Sequence, residues 1–403
     1  MDRENTIIIA AVIFILVVVM FSPRETETTE PKKIKVGVLT NTQTNASEVF
    51  LVDQAINEVN KYCLNHSLPY QFTPVYKGSQ NRAKIAKEMT DEFHREDVSI
   101  ILGYHWGSML DTCDYQSRNY GMVIISPYSN TAVNRKVYRH IFQLTPMDIH
   151  ETQVVARIMV DLGYMETTLF TTTHANQVGY IVEEFKEYYE EMGGRINSTL
   201  IYGRSINETQ VNETLSQLEE MAGLKIPILA AETFISDPYF TEIHKYSNLL
   251  NHTWFATSHS NWNYTDTLSA IPELAEIKLI HPYLDMEPDQ SNPKYQALNN
   301  LYYTEFGENM TRYTGNLYDA VWLSALTVIQ TGEYDNVTFI ETFPEVARDY
   351  NGVSGNCNLD QYGDRLNAGY NIYKYVLRGE NVYLKEIGYC DTSLPGIQWT
   401  ELQ

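Results

Sequence analysis

Hydroxyl, amide and imidazole side chains crowd into a few short stretches of this sequence: Thr40–Asn45, Gly103–Ser108, Pro127–Ala132, Thr173–Gln177, Glu232–Asp237 and Ser258–Asn263. Groups of this kind donate and accept hydrogen bonds, so the chemistry they offer is the holding of a polar molecule. Constellations for breaking bonds are missing. There is no H-E-x-x-H helix, no P-loop and no G-x-S-x-G elbow, and Gly352-Val353-Ser354-Gly355-Asn356 lacks the closing glycine. The first apolar strand runs into Thr40–Ser47 (TNTQTNAS) rather than a glycine-rich turn, so a dinucleotide cradle is excluded. Asp285, Glu287 and Asp289 alternate like calcium ligands, but the central glycine and closing glutamate are absent, and a solvated acidic loop fits better. Asn358–Arg365 (NLDQYGDR) reads as a tight turn rather than a cation site. The ten histidines show no ligand spacing. No metal, cofactor or enzymatic activity is expected.

The polar stretches sit where strands end. Ile34–Leu39, Phe72–Tyr76, Val98–Leu102 and Met122–Ser126 read as strands, separated by helical periods at Ser47–Tyr62, Arg82–His94 and from Gly107 through Tyr120. The rhythm restarts after Thr145, with helices at Ile149–Leu162, Val178–Met192, Glu208–Met221 and Pro238–Leu250. Strands at Thr167–Thr172, Ile196–Tyr202, Ile226–Ala231 and Thr253–Thr257 alternate with them. Two such series predict an α/β protein with two doubly wound parallel sheets. Three helices (Pro293–Phe306, Leu317–Gln330, Val337–Asp349) and an antiparallel hairpin, Tyr370–Val376 with Asn381–Gly388, complete the chain. Ligands of such sheets sit beyond the C-terminal strand ends, where the polar stretches lie.

A net charge of −22 repels phosphates, so nucleic acid is not an expected partner. Thr6–Phe21 is an uncharged apolar run at the short end of what spans a bilayer. The n-region (Asp2, Arg3, Glu4) is mixed in charge and no A-x-A precedes the polar stretch, which favours an uncleaved signal anchor over a cleaved signal peptide. Residues 1–5 would then be a short cytoplasmic end and residues 22–33 a polar tether. Nine N-x-S/T sequons, at Asn45, Asn65, Asn197, Asn207, Asn212, Asn251, Asn263, Asn309 and Asn336, point to an extracytoplasmic glycoprotein body. Cys63, Cys113, Cys357 and Cys390 are far apart and form no C-x-x-C pair; two disulfides fit this better than a metal knuckle, with three pairings open.

Several segments in order carry a family likeness: Gly37–Gln43 (GVLTNTQ), Val98–Ser108 (VSIILGYHWGS), Gly121–Ala132 (GMVIISPYSNTA), Phe142–Asp148 (FQLTPMD), Gly315–Gly332 and Asn351–Tyr373. From Lys33 onward the chain resembles the type I periplasmic-binding fold. The nearer likeness is to branched-chain-amino-acid-type solute-binding proteins of ABC transporters and the related receptor ligand-binding ectodomains. The resemblance implies two lobes joined by three crossings near Thr145, Pro282 and Ser354, closing on a ligand. One lobe would be residues 34–144 plus 283–353, the other 145–282 plus 354–403. On this division Cys63–Cys113 and Cys357–Cys390 are the expected disulfides.

The resemblance also implies where ligand is held. The loops after the third and fourth strands would take a carboxylate on backbone N–H groups and hydroxyls, at Gly107, Ser108, Tyr128, Ser129 and Asn130. In the second lobe the family's tyrosine positions fall on Val178 and Glu232, and its ammonium-binding acid falls on His259. Trp106 could cover an apolar part of the ligand. A small polar solute, amino-acid-like or amide-like, is expected. Its capture and delivery to an ABC permease is the leading reading, and a ligand-sensing ectodomain reporting to a signalling partner the alternative. A sensor would usually carry a C-terminal membrane helix and a cytoplasmic module, whereas this sequence ends at Gln403.

If Thr6–Phe21 is an uncleaved anchor, protein extracted from membranes will need detergent and retain Met1 or Asp2. N-terminal sequencing that begins between Ser22 and Lys33 would instead make it a secreted protein.

Overall fold

The computed structural model describes residues 30–400 apart from 43–44, 132–138, 173–177, 204–206, 223–225, 232–237, 258–271, 286, 333, 367 and 380. The inner strands of the first lobe are short and apolar and buried along their whole length, as strands covered by helices on both faces must be. They are β1 (Lys32–Thr40), β2 (Tyr70–Gly78), β3 (Ile100–Gly103), β4 (Val123–Ser126) and β5 (Ile141–Pro146). Helices α1 (Ala46–Asn65), α2 (Ala83–Arg95) and α3 (Gly107–Asn119) connect them. The sheet order is β2-β1-β3-β4-β5, all parallel, with Val36 beside Ile100 and Val38 beside Leu102.

The second lobe repeats the pattern with β6 (Glu166–Thr172), β7 (Arg195–Tyr202), β8 (Ile228–Ala231), β9 (Trp254–Ala256) and β10 (Ile280–Leu284) in the parallel order β7-β6-β8-β9-β10. Its long helices are α4 (Asp148–Asp161), α5 (Val178–Glu191) and α6 (Glu208–Ala222). After β10 the chain returns to the first lobe as α7 (Pro293–Phe306), α8 (Arg312–Thr331) and α9 (Asn336–Asp349). A small hairpin follows, β11 (Asn351–Gly352) with β12 (Gly355–Asn356), and then β13 (Asp364–Arg365) adds to the edge of the first sheet beside β5. The antiparallel strands β14 (Gly369–Arg378), β15 (Asn381–Asp391) and β16 (Gln398–Trp399) finish the second sheet beyond β10.

Each sheet has a core on either face. In the first lobe Val52, Val59, Leu323 and Phe343 pack one side under α1, α8 and α9, while Phe93, Met109 and Leu110 pack the other under α2 and α3. In the second, Leu215, Leu218 and Trp254 lie on one side and Val155, Met159 and Phe185 on the other. The chain crosses between the sheets after Pro146, after Leu284 and between Arg365 and Gly369. The third crossing therefore comes later than the expected Ser354. Cys357 and Leu359 are still part of the first lobe's core, and Asp364 still pairs with Gln143 of β5.

The same packing overturns the expected disulfides. All four cysteines are free and buried. Cys63 faces the core under α1 and α8, whereas Cys113 faces the core on the opposite side of the sheet. Cys357 belongs to the first lobe's core and Cys390 to the second's. Neither expected pair shares a core, and a disulfide needs Cα atoms within roughly 7 Å. Burial also pushes the Cys113 thiol up to about 12 and the Cys357 thiol up to about 11, which makes both poor nucleophiles at neutral pH. The expected anchor at Thr6–Phe21 lies outside the described residues; among the described residues no helix is long and apolar enough to cross a membrane.

Four thiols should react with an alkylating agent when the protein is unfolded without reductant, and few or none while it is folded. A non-reducing peptide map that recovers Cys63 linked to Cys113 would contradict this packing.

Candidate ligand-binding site

In a sheet ordered 2-1-3-4-5 the connections leave β1 and β3 in opposite directions, and a crevice opens between their C-terminal ends. Both lobes have this order. In the first lobe the backbone at the crevice is unusual. Gly103 has φ +128°, and a Cβ there would come 2.3 Å from the Leu39 carbonyl oxygen of the neighbouring strand. Tyr104 follows at φ +61°, a left-handed conformation seldom seen for a bulky residue. Its ring is fully buried, with its hydroxyl 2.6 Å from Thr90 Oγ1. Anchored in this way, the turn sets His105 against the first turn of α1, where its Nε2 lies 2.6 Å from Glu48 Oε1. The pair spans the crevice. Tyr128, from the loop after β4, stacks on the His105 ring at 4.4 Å between centroids. Burial, and then the Glu48 charge, hold the Tyr128 phenol far above its ordinary range, so it stays protonated.

Polar atoms here are left over. Glu48 Oε2, His105 Nδ1, Ser129 Oγ and Asn41 Oδ1 are buried without a hydrogen-bond partner. Beside them, α3 begins at Gly107 with Trp106 as its N-cap residue and no side-chain cap. The approach is tight: a Cβ on Gly107 would sit 2.7 Å from Thr131. An uncapped helix N-terminus offers N–H groups to a carbonyl or anionic oxygen.

Behind the crevice the first and third crossings are tied together by Arg365, a buried guanidinium. Its Nη1 donates to Leu144 O (3.1 Å), Asn316 Oδ1 (2.8 Å) and Ser354 Oγ (3.2 Å); Nη2 donates to Ser354 O (2.8 Å) and Asn356 O (2.7 Å); and Nε donates to Asn356 O (3.0 Å). Asn316 passes the restraint on, donating from Nδ2 to Pro127 O (3.0 Å) and Thr145 Oγ1 (3.2 Å). Tyr313, one turn earlier in α8, stacks on Tyr128 and donates its hydroxyl to Tyr128 O. A small cleft of about 210 Å³ opens at this junction, lined by Pro146, Asp285, Arg312, Tyr313, Arg365 and Tyr389 among others. It is below the roughly 300–1,000 Å³ of typical ligand pockets. A wider groove of about 550 Å³, lined by Leu326, Ile329, Val346 and Arg348, runs between α8 and α9, away from the strand ends.

Of the residues named from the sequence, Gly107, Ser108, Tyr128, Ser129 and Asn130 lie on two neighbouring loops of the first lobe. Ser108 is exposed, Tyr128 and Ser129 are buried, and Asn130 is half-buried, its carbonyl accepting the Asp148 N–H at 3.0 Å. Trp106 is 44% exposed at the crevice mouth, with its Nε1 donating to Asn81 Oδ1 at 3.2 Å. Val178 is the first residue of α5. Glu232 and His259 lie outside the described residues. Glu48, His105, Tyr313 and Arg365 were not among the expected site residues. Of these, only His105 lay in a polar stretch singled out from the sequence, Gly103–Ser108.

A family profile described as the receptor family ligand binding region matches residues 52–377. Among curated proteins none matches. Solved structures with the same fold include an ABC transporter substrate-binding protein from Desulfitobacterium hafniense in complex with Leu (TM-score 0.61, 15% identity, 88% of this chain and 100% of that chain covered). A leucine-binding protein from Thermotoga maritima superposes with a TM-score of 0.60 at 16% identity, covering 87% of this chain and 97% of that chain. A solute-binding protein of an ABC transporter from Rhodopseudomonas palustris, in complex with 3,4-dihydroxybenzoic acid, gives 0.59 at 14% identity over 89% and 98%.

Arg365→Ala should lower the unfolding free energy by about 3 kcal/mol or more, because several buried acceptors lose a charged donor. Arg365→Lys, with three donors at one point, should restore only part. Urea denaturation measures both, and a loss below about 1 kcal/mol for Arg365→Ala would mean the network carries little.

Proposed function

This chain belongs to the receptor family ligand binding region, and from that membership we propose that it is an extracytoplasmic solute-binding protein, not an enzyme. It captures a small polar solute between its lobes and passes it to an ABC permease. The observation that carries this reading is the crevice between β1 and β3: an uncapped helix N-terminus beside buried polar atoms that lack partners. These are groups prepared to bind rather than react. The solved relatives are named as components of ABC transporters, which favours delivery over sensing.

In this proposal Gly107, Ser108, Tyr128, Ser129 and Asn130 form the first lobe's half of the pocket. Glu232 and His259 form the second lobe's half, with Trp106 and Val178 at its margins. The protein acts at the outer face of a membrane, held by Thr6–Phe21, or is secreted if that segment is removed. The sequon asparagines among the described residues are exposed or half-buried, as glycan attachment requires.

A thermal-shift screen of small polar solutes against the full chain tests the proposal. A solute at 100 times its Kd adds about 2.7 kcal/mol of stability. Ser108→Ala and Asn130→Ala should weaken binding of whichever solute raises the midpoint, while Arg348→Ala in the outer groove should not. Binding that responds to Arg348 and ignores Ser108 and Asn130 would move the site elsewhere.

A further inference from the structure

The proposed pocket places a carboxylate where a ligand carboxylate is expected. Glu48 pairs with His105, which adjoins Trp106–Gly107 in sequence and stacks on Tyr128. The Glu48 side chain is 9% exposed and that of His105 10% exposed, so water screens the charge poorly. A carboxylate only accepts hydrogen bonds, so the His105–Glu48 contact requires the hydrogen on Nε2. Glu48 Oε2 and Asn41 Oδ1 are two buried acceptors without a hydrogen-bond partner at the crevice, with the Tyr128 phenol beside Glu48. Buried acceptors of this kind are costly until a donor arrives, whereas a second carboxylate brought beside Glu48 would be repelled. Donors come instead from the other side, at the uncapped start of α3 and the Ser108 hydroxyl.

We infer that the first lobe selects a carboxylate-free group with N–H donors beside a carbonyl, a primary amide or urea, with its N–H atoms on Glu48 and its oxygen on the N-terminus of α3. This rests on the proposed function and deepens it. Glu48 becomes the residue that sets ligand class, and the crevice rejects the free carboxylate that the resemblance implied.

Matched pairs of probes test it on the full chain: acetamide against acetate, isobutyramide against isobutyrate, benzamide against benzoate, and leucinamide against leucine. Affinities come from calorimetry or thermal shift, for wild type, Glu48→Gln and Glu48→Asp. In at least one pair the amide should bind wild type at least about tenfold more tightly than its acid. Glu48→Gln should erase that ratio, chiefly by weakening the amide, and Glu48→Asp should keep most of it. The wild-type ratio needs no variant, so a variant that fails to fold does not remove the test. Acids that bind wild type as tightly as their amides in every pair that binds, or a ratio unchanged in Glu48→Gln, overturn the inference; if that binding still depends on Ser108, the proposed function stands. Absence of binding by every probe overturns the inference. If the wider solute screen is also silent, the proposed function falls with it.

Discussion

One side chain holds together the parts that must move as units. The Arg365 guanidinium reaches the last strand before the first crossing through Leu144, the N-terminal part of α8 through Asn316, and the loop leading to the third crossing through Ser354 and Asn356. All its acceptors are neutral, so the charge is spread over several dipoles instead of being cancelled by one carboxylate. Arginine suits the position because five donors in a planar fork can meet several backbone oxygens at once. Asp319 does the complementary work nearby. It accepts from Tyr350 Oη and from the N–H groups of Val353 and Ser354, and no Cβ fits at Gly352 because it would come 2.1 Å from Asp319 Oδ1. Burial raises the Asp319 carboxyl above its ordinary value, and those hydrogen bonds offset part of the shift.

The consequence for function runs through Asn316 and Tyr313, which fasten the loop after β4 from behind. The first lobe can therefore present its crevice rigidly while the crossings provide the bend. A rigid half-site loses little freedom when ligand arrives, and ordering is one of the main costs of association. The strained turn at Gly103–Tyr104 belongs to the same design. It places His105 beside Glu48, and the buried Tyr104 ring, bonded to Thr90, holds the turn there.

Much of the fold was legible because parallel strands covered on both faces are short apolar runs, as at Ile100–Gly103 and Ile228–Ala231. β5 and β10 were not read as strands, since Gln143, Pro146, His281 and Pro282 interrupt the apolar pattern, and only the neighbouring strands make these segments extended. The helix expected over Pro238–Leu250 is broken at Tyr246, whose φ −119° and ψ 85° leave the helical region. α8 begins earlier than its apolar period suggests because Thr311 and Thr314 form a capping box. In the site, the loops bearing Gly107 to Asn130 announced themselves by composition. Glu48 and Arg365 did not, because their partners lie far off in sequence: 57 residues separate Glu48 from His105, and 221 separate Arg365 from Leu144. The cysteine pairing failed for the same reason, since the face of the sheet on which a helical residue lands depends on how helix and sheet pack.

Small-angle X-ray scattering during titration of the full chain tests the account most directly. Solute held on the first lobe should draw the second lobe over it about the three crossings, so the radius of gyration should fall with the same saturation curve that calorimetry gives. Saturable binding with an unchanged radius, or a decrease that does not follow occupancy, would contradict a two-lobed protein that closes on its ligand.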